Sequence, residues 1–266
     1  MEMSNFEKIV EKSNQRESLT EVERMSASEF VDQFDRIAQS GNPVVFKSEP
    51  SLGSIEELES AIGEYPLKLR VRNFDSSGKY DPRNRSYTDS TVSEFVENIQ
   101  NGTADSYAGN IMFDGEAEDI FGVTVPEVVP STALRKPSIW LGPEGSVTPL
   151  HRDSADNFAF HIFGCKRWTL FPPEQHCDLG ILSLEGLQQT GGEFAISEID
   201  VEDPDLERFP EFKKAQPIQL DLNTCGGGEV LFLPAGWHHH VRTLETSLML
   251  NYWVEDPKYS PAFLKC

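Results

Sequence analysis

The sequence has no apolar run long enough to cross a membrane and no sign of an export signal. A membrane-spanning helix needs about 18 or more consecutive apolar residues, and polar or charged residues interrupt every such run in this chain. The N-terminal segment MEMSNFEKIVEKSNQRES is polar and lacks the apolar core of a secretory signal. We therefore expect a soluble, cytoplasmic protein that does not use a membrane as its partner.

Cysteine is also scarce. The four cysteines, Cys165, Cys177, Cys225 and Cys266, have neither Cys-x-x-Cys spacing nor the spacing of a zinc finger. A disulfide framework requires an oxidising compartment, and the sequence has no signal that directs it to one. The pattern therefore favours free thiols in a reducing cytosol.

Basic residues are few compared with acidic ones. The chain has 23 Lys and Arg against 44 Asp and Glu, which gives a formal net charge of −21. Proteins that bind nucleic acid neutralise its phosphates with clustered Lys and Arg, so nucleic acid is not an expected partner. The surplus of carboxylates is typical of a solvated surface that favours solubility.

Aromatic residues, by contrast, are plentiful, and the length suits one large unit. The 17 Phe and 4 Trp among 266 residues are ample for a packed core. We predict a single domain over 1–266, with a helical and mixed part at 1–135 and a β-barrel core at 136–256.

The segment 174–216 is too long for a hairpin connection and is predicted to be an insertion at the rim. The polar segment 75–89 is predicted to be a loop that carries substrate contacts.

Three segments of the N-terminal part have the signals of helices. Ser26–Gly41, Ser54–Gly63 and Thr91–Gly102 each begin with a Ser or Thr cap and end at Gly. Short strands are predicted at 43–47 and from Lys68 onward. These elements are expected to pack against the barrel core.

From residue 136 the pattern changes to short alternating segments separated by Gly and Pro. Eight strands are predicted: PSIWLG, the segment around His151, NFAFHIFG, KRWTLFP, PIQLDL, EVLFLP, HHVRTL and SLMLNYWV. This number of short strands favours a closed or sandwiched antiparallel structure. The predicted fold class is therefore mainly β with a helical N-terminal part.

Two side chains with metal-binding chemistry are separated by a single residue. Residues two apart on a strand face the same side, so His151 and Asp153 can hold one metal ion if their segment is extended. The segment LFLPAGWHHHV, at 231–241, is the obvious source of a third ligand. Two His and one carboxylate on one face of an octahedron leave three positions open, as in non-heme Fe(II) oxygenases. The alternative is an ordinary hydrogen-bonded surface pair.

The downstream histidines cannot be assigned by alternation alone. His238, His239 and His240 are consecutive, so a strand turns either His239 or the other two inward. A run of three His is also compatible with an accidental metal patch or a polar loop. Both strand assignments stay open on the basis of spacing.

A lysine in the strands that follow adds a second feature. If Asn157 faces inward, alternation turns His161 and Phe163 inward as well. Lys166 begins the next strand, and an inward Lys is unfavourable unless its charge meets an anion. A dicarboxylate cosubstrate would supply that anion, whereas a Lys that reaches solvent is the alternative.

Taken together, the two segments resemble a known family pattern. It runs T-P-x-H-x-D, an Asn, G-x-K-x-x-x-L-F-P-P, P-x-x-W-x-H-x-(V/I) and V-N-F-W. The matching residues here are Thr148, His151, Asp153, Asn157, Gly164, Lys166, 170–173, Pro234, Trp237, His239, Val241 and 250–253. The chain resembles the cupin-like and JmjC-type Fe(II)- and 2-oxoglutarate-dependent oxygenases, with its closest similarity to the subgroup of the asparaginyl hydroxylase that inhibits the hypoxia-inducible factor. Order and spacing agree without a gap over 138–173.

The resemblance implies a double-stranded β-helix, or jelly-roll, that binds Fe(II) and uses 2-oxoglutarate and O₂. It implies that His151, Asp153 and His239 are the metal ligands. It also implies a cosubstrate pocket with Lys166 and Thr148 at the distal carboxylate and with Asn157 and Asn251 near the metal-bound end. Tyr107 is the candidate for a family Tyr that completes this pocket, and Trp253 is expected to line it. His238 departs from the family, in which an aromatic residue is usual at that position.

The function implied by the resemblance is hydroxylation of a protein or peptide side chain, or of an amino acid. In this reaction 2-oxoglutarate is decarboxylated to succinate and CO₂. N-methyl demethylation uses the same chemistry and ranks second. A cupin that binds a metal or ligand without catalysis is a third alternative, which the complete set of family residues disfavours. The sequence leaves the substrate and the oligomeric state open.

Overall fold

Helices of the N-terminal part pack on one face of a large sheet, and the N-terminal strands extend that sheet at both edges. The computed structural model describes residues 19–71, 86–181, 195–223 and 228–254. The α-helices are α1 (Ala27–Asp32), α2 (Phe34–Ser40), α3 (Ile55–Ile62), α4 (Val92–Gln100) and α5 (Ala117–Phe121), and 3-10 helices span Ser131–Ala133, Pro173–Asp178 and Pro210–Lys214. No helix in these ranges is both long and apolar enough to span a membrane.

The strands of the described ranges form two sheets. They are β1 (Glu23–Met25), β2 (Val44–Lys47), β3 (Pro66–Val71), β4 (Ser86–Thr91), β5 (Ser106–Met112), β6 (Ser138–Gly142), β7 (Val147–Arg152), β8 (Asp156–Phe163), β9 (Lys166–Phe171), β10 (Ala195–Ile196), β11 (Ile218–Leu222), β12 (Glu229–Leu233), β13 (His238–Thr243) and β14 (Ser247–Val254). The larger sheet has the order β1-β2-β12-β8-β14-β6-β5-β3-β4, and the smaller one has the order β10-β7-β13-β9-β11.

The chain crosses between the two sheets almost strand by strand. Strands β6, β8, β12 and β14 belong to the larger sheet, and β7, β9, β11 and β13 belong to the smaller one. This alternation is that of a jelly-roll, which confirms the predicted fold class. Between the sheets, Trp140 and Met249 of one pack in the same cluster as Trp168 and Leu170 of the other. The candidate site lies at one end of this interior.

Strand β8 is buried on both faces because the helices cover its outer side. Phe158 and Phe160 belong to the outer cluster, in which the Phe30 ring of α1 lies 6.0 Å from the Phe158 ring. Ala159, on the opposite face, belongs to the inner cluster. The prediction that Phe163 faces inward is wrong, because Phe163 lies in the outer cluster. The pairing of β8 with β14 is irregular at this end of the strand, which breaks the alternation.

Each of the eight strands predicted after residue 136 corresponds to an observed strand. The helix predicted over Ser26–Gly41 is two helices, because the backbone of Gln33, at φ −107° and ψ 8°, leaves helical geometry between them. The predicted loop 75–89 is wrong at its end, where residues 86–89 belong to β4. Residues 75–85 lie outside the described ranges.

The cysteines differ from the sequence prediction at one position. Cys165 is free and buried, as predicted. Cys177 is disulfide-bonded, so the prediction of free thiols is wrong for this residue. Spacing along the chain does not report which cysteines the fold brings together, because tertiary contacts decide that distance.

Replacing Gly164 by Ala is expected to lower the free energy of unfolding by more than about 2 kcal/mol. Gly164 joins β8 to β9 at φ +70°, and a Cβ atom there would lie 2.1 Å from the carbonyl oxygen of Thr246. Gly102→Ala is the matched control, since Gly102 has φ +66° but no neighbouring atom within 4 Å. The control should lose only about 1 kcal/mol, the cost of the left-handed backbone. Urea denaturation measures both, and equal losses would contradict the steric argument.

Candidate active site

Neighbouring strands of the smaller sheet bring two histidines and one carboxylate together. His151 on β7 lies directly opposite His239 on β13, and Asp153 follows the end of β7. The Nε2 atom of His151 is 3.9 Å from Oδ1 of Asp153, and Nε2 of His239 is 4.0 Å from Oδ2. One donor atom from each of the three side chains lies within 4.8 Å of the others. The pairing of β7 with β13 therefore brings together His151 and His239, which are 88 positions apart in the sequence.

Backbone carbonyls fix the orientation of both imidazole rings. Nδ1 of His151 is 2.8 Å from the carbonyl oxygen of Pro149, and Nδ1 of His239 is 3.2 Å from that of Trp237. A hydrogen bond from each Nδ1–H leaves the Nε2 lone pair directed toward the cluster. Burial lowers the pKa of His239 to about 3, so its ring is neutral at physiological pH. Neutral imidazole is the form that binds metal ions.

Only one of the two carboxylate oxygens of Asp153 has a hydrogen-bond partner among the described residues. Its Oδ2 accepts a hydrogen bond of 3.0 Å from Nε1 of Trp253, whereas its buried Oδ1 has no hydrogen-bond partner among the described residues. An unpaired buried carboxylate oxygen is unfavourable unless a cation or donor meets it. Together with the two Nε2 atoms, this oxygen fits a divalent metal ion of the kind that the donor set predicts.

The remaining two histidines of the run do not belong to the donor cluster. Nε2 of His238 is 2.9 Å from Nδ1 of His176, and both rings are buried. Burial lowers the pKa of His240 to about 4. On the inner side, the Trp168 ring stacks on the His239 ring with centroids 5.5 Å apart. Of the two arrangements that alternation allows, the structure therefore has the one in which His239 faces the cluster.

Lys166 is fully buried between the two sheets. Its Nζ donates a hydrogen bond of 2.9 Å to Oγ1 of Thr243 and lies 5.7 Å from the centre of the Tyr107 ring. Burial lowers the pKa of Lys166 to about 7. No carboxylate of the described residues forms an ion pair with it. A buried ammonium without a counter-ion is unfavourable, so the position suits an anionic ligand.

The other residues predicted for the cosubstrate pocket are also inside the barrel. The hydroxyl groups of Tyr107 and Thr148 are 3.3 Å apart. Both side-chain atoms of the Asn157 amide and Oδ1 of Asn251 are buried without a hydrogen-bond partner in the described chain. Polar atoms left unpaired in an interior point to a missing ligand or water. Their roles toward a cosubstrate stay predictions, although their surroundings are compatible with them.

A cavity of about 340 Å³ opens next to the cluster. Thr148, His151, Asp153 and Trp253 line its side next to the cluster. Lys68 and Tyr87 of the lining are exposed and Arg70 is half-buried, so β3 and β4 form the mouth of the cavity. The rest of the lining consists of 109–112 of β5, Trp140, Pro149 and Ile196. The sequence interpretation missed Lys68 and Arg70, although their i, i+2 spacing on a predicted strand already places them on one face.

Comparison with known proteins identifies the family of this chain. The profile of the cupin-like domain matches residues 3–259. The chain belongs to the cupin-like domain family. This cupin-like domain is 38% identical over 125 residues to the JmjC domain-containing protein F of Dictyostelium discoideum, which covers 44% of the chain and 26% of that protein.

Two further relatives extend the comparison. The cupin-like domain is 29% identical over 208 residues to lysine-specific demethylase 8 of Danio rerio, covering 75% of the chain and 48% of the relative. It is 38% identical over 120 residues to HSPB1-associated protein 1 of Homo sapiens, covering 44% of the chain and 23% of the relative. The chain thus spans about a quarter to a half of the length of these relatives. These matches and the His-Asp-His cluster support a JmjC-type cupin oxygenase family. They do not single out the asparaginyl hydroxylase subgroup, which stays a prediction.

Proposed function

We propose that this cupin-like domain is an Fe(II)- and 2-oxoglutarate-dependent oxygenase that hydroxylates a protein or peptide side chain or an amino acid. The observation that carries the proposal is the convergence of His151, Asp153 and His239 around an unpaired carboxylate oxygen. Three protein ligands on one face leave room for substrate-derived ligands. Iron with 2-oxoglutarate and O₂ would supply the oxidation of a C–H bond to C–OH, with release of succinate and CO₂.

The protein's own contribution is to bind and orient. Lys166 would pair with the distal carboxylate of 2-oxoglutarate, and its lowered pKa would return toward the usual range once that anion is present. The adjacent hydroxyl groups of Tyr107 and Thr148 would donate to the same carboxylate. Asn157 and Asn251 would satisfy their unpaired amide atoms at the opposite end of the cosubstrate.

Trp253 acts through the metal ligand rather than directly. Its Nε1–H donates to Oδ2 of Asp153, which holds the carboxylate in one rotamer and leaves Oδ1 for the ion. Such supporting hydrogen bonds orient the ligand and typically change metal affinity by about 10- to 100-fold when they are removed. The burial of Trp253 among the cavity walls also helps to exclude water from the site.

The test of the proposal is succinate release from 2-oxoglutarate with added Fe(II) and O₂. The wild-type domain is expected to turn over the cosubstrate, even when uncoupled from a substrate, whereas Asp153→Asn should lose at least about 100-fold because the iron loses its anionic ligand. Asp32→Asn is the matched control, because it removes a carboxylate from an exposed position on α1 outside the donor cluster. This variant should leave turnover unchanged. A wild-type domain without succinate release, or an active Asp153→Asn variant, would contradict the proposal.

N-methyl demethylation is the second candidate function, because one relative is named lysine-specific demethylase 8. The two reactions give different products from the same site. Hydroxylation adds one oxygen to the substrate, whereas demethylation removes a methyl group as formaldehyde. Mass spectrometry of a modified peptide therefore distinguishes them. Lys68 and Arg70, which line the cavity, favour hydroxylation because their positive charges would repel a methylated ammonium group.

A further inference from the structure

The outer part of the cavity has a charge opposite to that of the whole chain. The chain carries a formal net charge of −21, yet the charged side chains that line the cavity mouth are Lys68 and Arg70. Asp153 is the carboxylate of the lining, and it lies at the inner end with the His residues. A ligand that enters the cavity therefore passes two cations before it reaches the proposed metal site.

Strand geometry places the two cations together. Lys68 and Arg70 are two residues apart on β3, so their side chains extend from the same face of the sheet. The register with β4 puts Tyr87 opposite Arg70 and Asp89 opposite Lys68. Asp89 does not line the cavity and forms no ion pair with Lys68. Neither cation therefore forms an ion pair with a carboxylate in the described part of the chain.

Arg70 lacks a partner for a buried donor. Its Nε atom is buried and makes no hydrogen bond with any described residue. A guanidinium group has five N–H donors in a planar fork that matches a carboxylate, and a buried donor left unpaired is unfavourable. An acceptor supplied by a ligand would satisfy it. Lys68 is more exposed, and its Nζ lies 5.9 Å above the Tyr87 ring.

A backbone irregularity adds a neutral polar group beside the two cations. Asn110 has φ 60°, a left-handed conformation that Asn tolerates better than most residues. It lies where the pairing of β5 with β6 shifts register between Ala108 and Ile111, and it lines the same cavity. Bulges of this kind re-aim side chains near functional sites. Asn110 therefore adds an exposed, neutral hydrogen-bonding group to the lining of the cavity.

We propose that Arg70 and Lys68 bind a carboxylate of the substrate and thereby select acidic peptides or carboxylate-bearing amino acids. This inference rests on the proposed function, because it assigns the substrate class to the same cavity. The carboxylate would pair with the Arg70 fork, and Lys68 would add attraction from the rim. The carbon to be oxidised would extend inward toward His151 and Asp153. A cationic side chain would meet two like charges, and the ring of Tyr87 already faces the Lys68 ammonium.

Binding to metal-free protein tests the substrate class without relying on turnover. Isothermal titration would compare short capped peptides that differ only in one central residue, Asp, Asn or Lys, and a second arm would use free aspartate and glutamate. The Asp peptide is expected to bind at least about tenfold more tightly than its Asn counterpart, and the Lys peptide should bind most weakly. If free aspartate or glutamate binds while the Asp and Asn peptides do not differ in affinity, the carboxylate ligand is a free amino acid rather than a peptide.

Variants assign the preference to the two cations. Arg70→Gln should reduce the Asp-over-Asn preference to about twofold or less. Lys68→Glu, at an exposed position that tolerates substitution, should also weaken the Asp peptide. Lys213→Glu makes the same change in net charge at an exposed position outside the cavity and is the matched control, with an unchanged preference expected. Equal affinity for the Asp and Asn peptides together with no binding of free aspartate or glutamate would overturn the proposal, and so would tighter binding of the Lys peptide. So would an Arg70→Gln variant that keeps the full preference.

The failure of this inference can be told apart from the failure of the proposed function. Succinate release without any preference for acidic ligands leaves the oxygenase intact and removes the carboxylate site. Acidic preference without succinate release under any condition keeps the binding site and removes the oxygenase. Thermal melting of each variant beside the wild type identifies any loss of folding before the affinities are compared.

Discussion

Replacing His239 by Ala is expected to lower iron-dependent 2-oxoglutarate turnover by at least about 100-fold. Changes to groups that only orient a metal ligand typically lower affinity or activity by about 10- to 100-fold, and removing a ligand itself should have a larger effect. His239 contributes Nε2 to the donor cluster, and no other ring of the His run faces that side. The measurements are succinate release and Fe(II) binding, the latter by titration in the absence of O₂.

The neighbouring histidines are natural controls for this experiment. His238 and His240 are also buried, so a general effect of disturbing β13 would appear in them as well. His238→Ala and His240→Ala are expected to leave a measurable part of the turnover. His238→Gln keeps a hydrogen-bonding group for His176 and separates loss of that contact from loss of volume. If His239→Ala stays active while His238→Ala or His240→Ala is inactive, the ligand assignment is wrong.

Replacing Lys166 by Ala is expected to raise the 2-oxoglutarate concentration needed for half-maximal turnover by at least about 30-fold, while iron binding changes little. Losing one partner of a buried, hydrogen-bonded charge pair costs about 2–5 kcal/mol, and each 1.4 kcal/mol is about a tenfold change in affinity. Lys166 is fully buried, and no described carboxylate pairs with it, so under the proposed function the cosubstrate would be its counter-ion. An unchanged requirement for 2-oxoglutarate would remove Lys166 from the cosubstrate site.

Lys166→Met separates the binding role from the stability of the fold. Burial lowers the pKa of Lys166 from its usual 10.5 to about 7, so between these pH values the unfolded chain binds more protons than the folded one. Stability therefore rises with pH across this range, and the buried ammonium is a cost at neutral pH. Lys166→Met should be more stable than the wild type at pH 7, with a smaller gain at pH 10, and should still bind 2-oxoglutarate poorly. Thermal melts of cosubstrate-free protein at the two pH values measure this difference, and a Met variant that is less stable at pH 7 would contradict it.

Local sequence signals were sufficient for most of the barrel. The strands after residue 136 are short, alternate in polarity and are separated by Gly or Pro, so each one was predictable without tertiary information. Signals were weaker in the N-terminal part. Strand β4, SYTDST, is polar and largely exposed, and it exists because it pairs with β3. Its sequence resembles a loop because an edge strand of this kind has no apolar face to bury.

The candidate site was predictable to different degrees along its length. The two-residue spacing marks His151 and Asp153 only as candidates, and for Lys166 the local sequence leaves a solvent-reaching side chain as an alternative, so the family resemblance was needed for all three. It was needed for His239 as well. The basic pair at the cavity mouth was not predictable from the sequence, because Arg70 lies 81 positions before His151 in the chain and Lys68 lies further away still. Nothing in the local sequence indicates that β3 reaches the same cavity.

Local patterns in the sequence were enough to predict the alternating strands, the candidate pair His151 and Asp153, and the family resemblance. These features depend on periods of two residues and on short motifs, which are local properties of the chain. The position of His239 opposite His151, the unpaired oxygen of Asp153 and the presence of Arg70 at the same cavity are known only from the folded structure. Those contacts depend on the register between strands distant in sequence, and register is set by packing of the whole sheet rather than by any single segment.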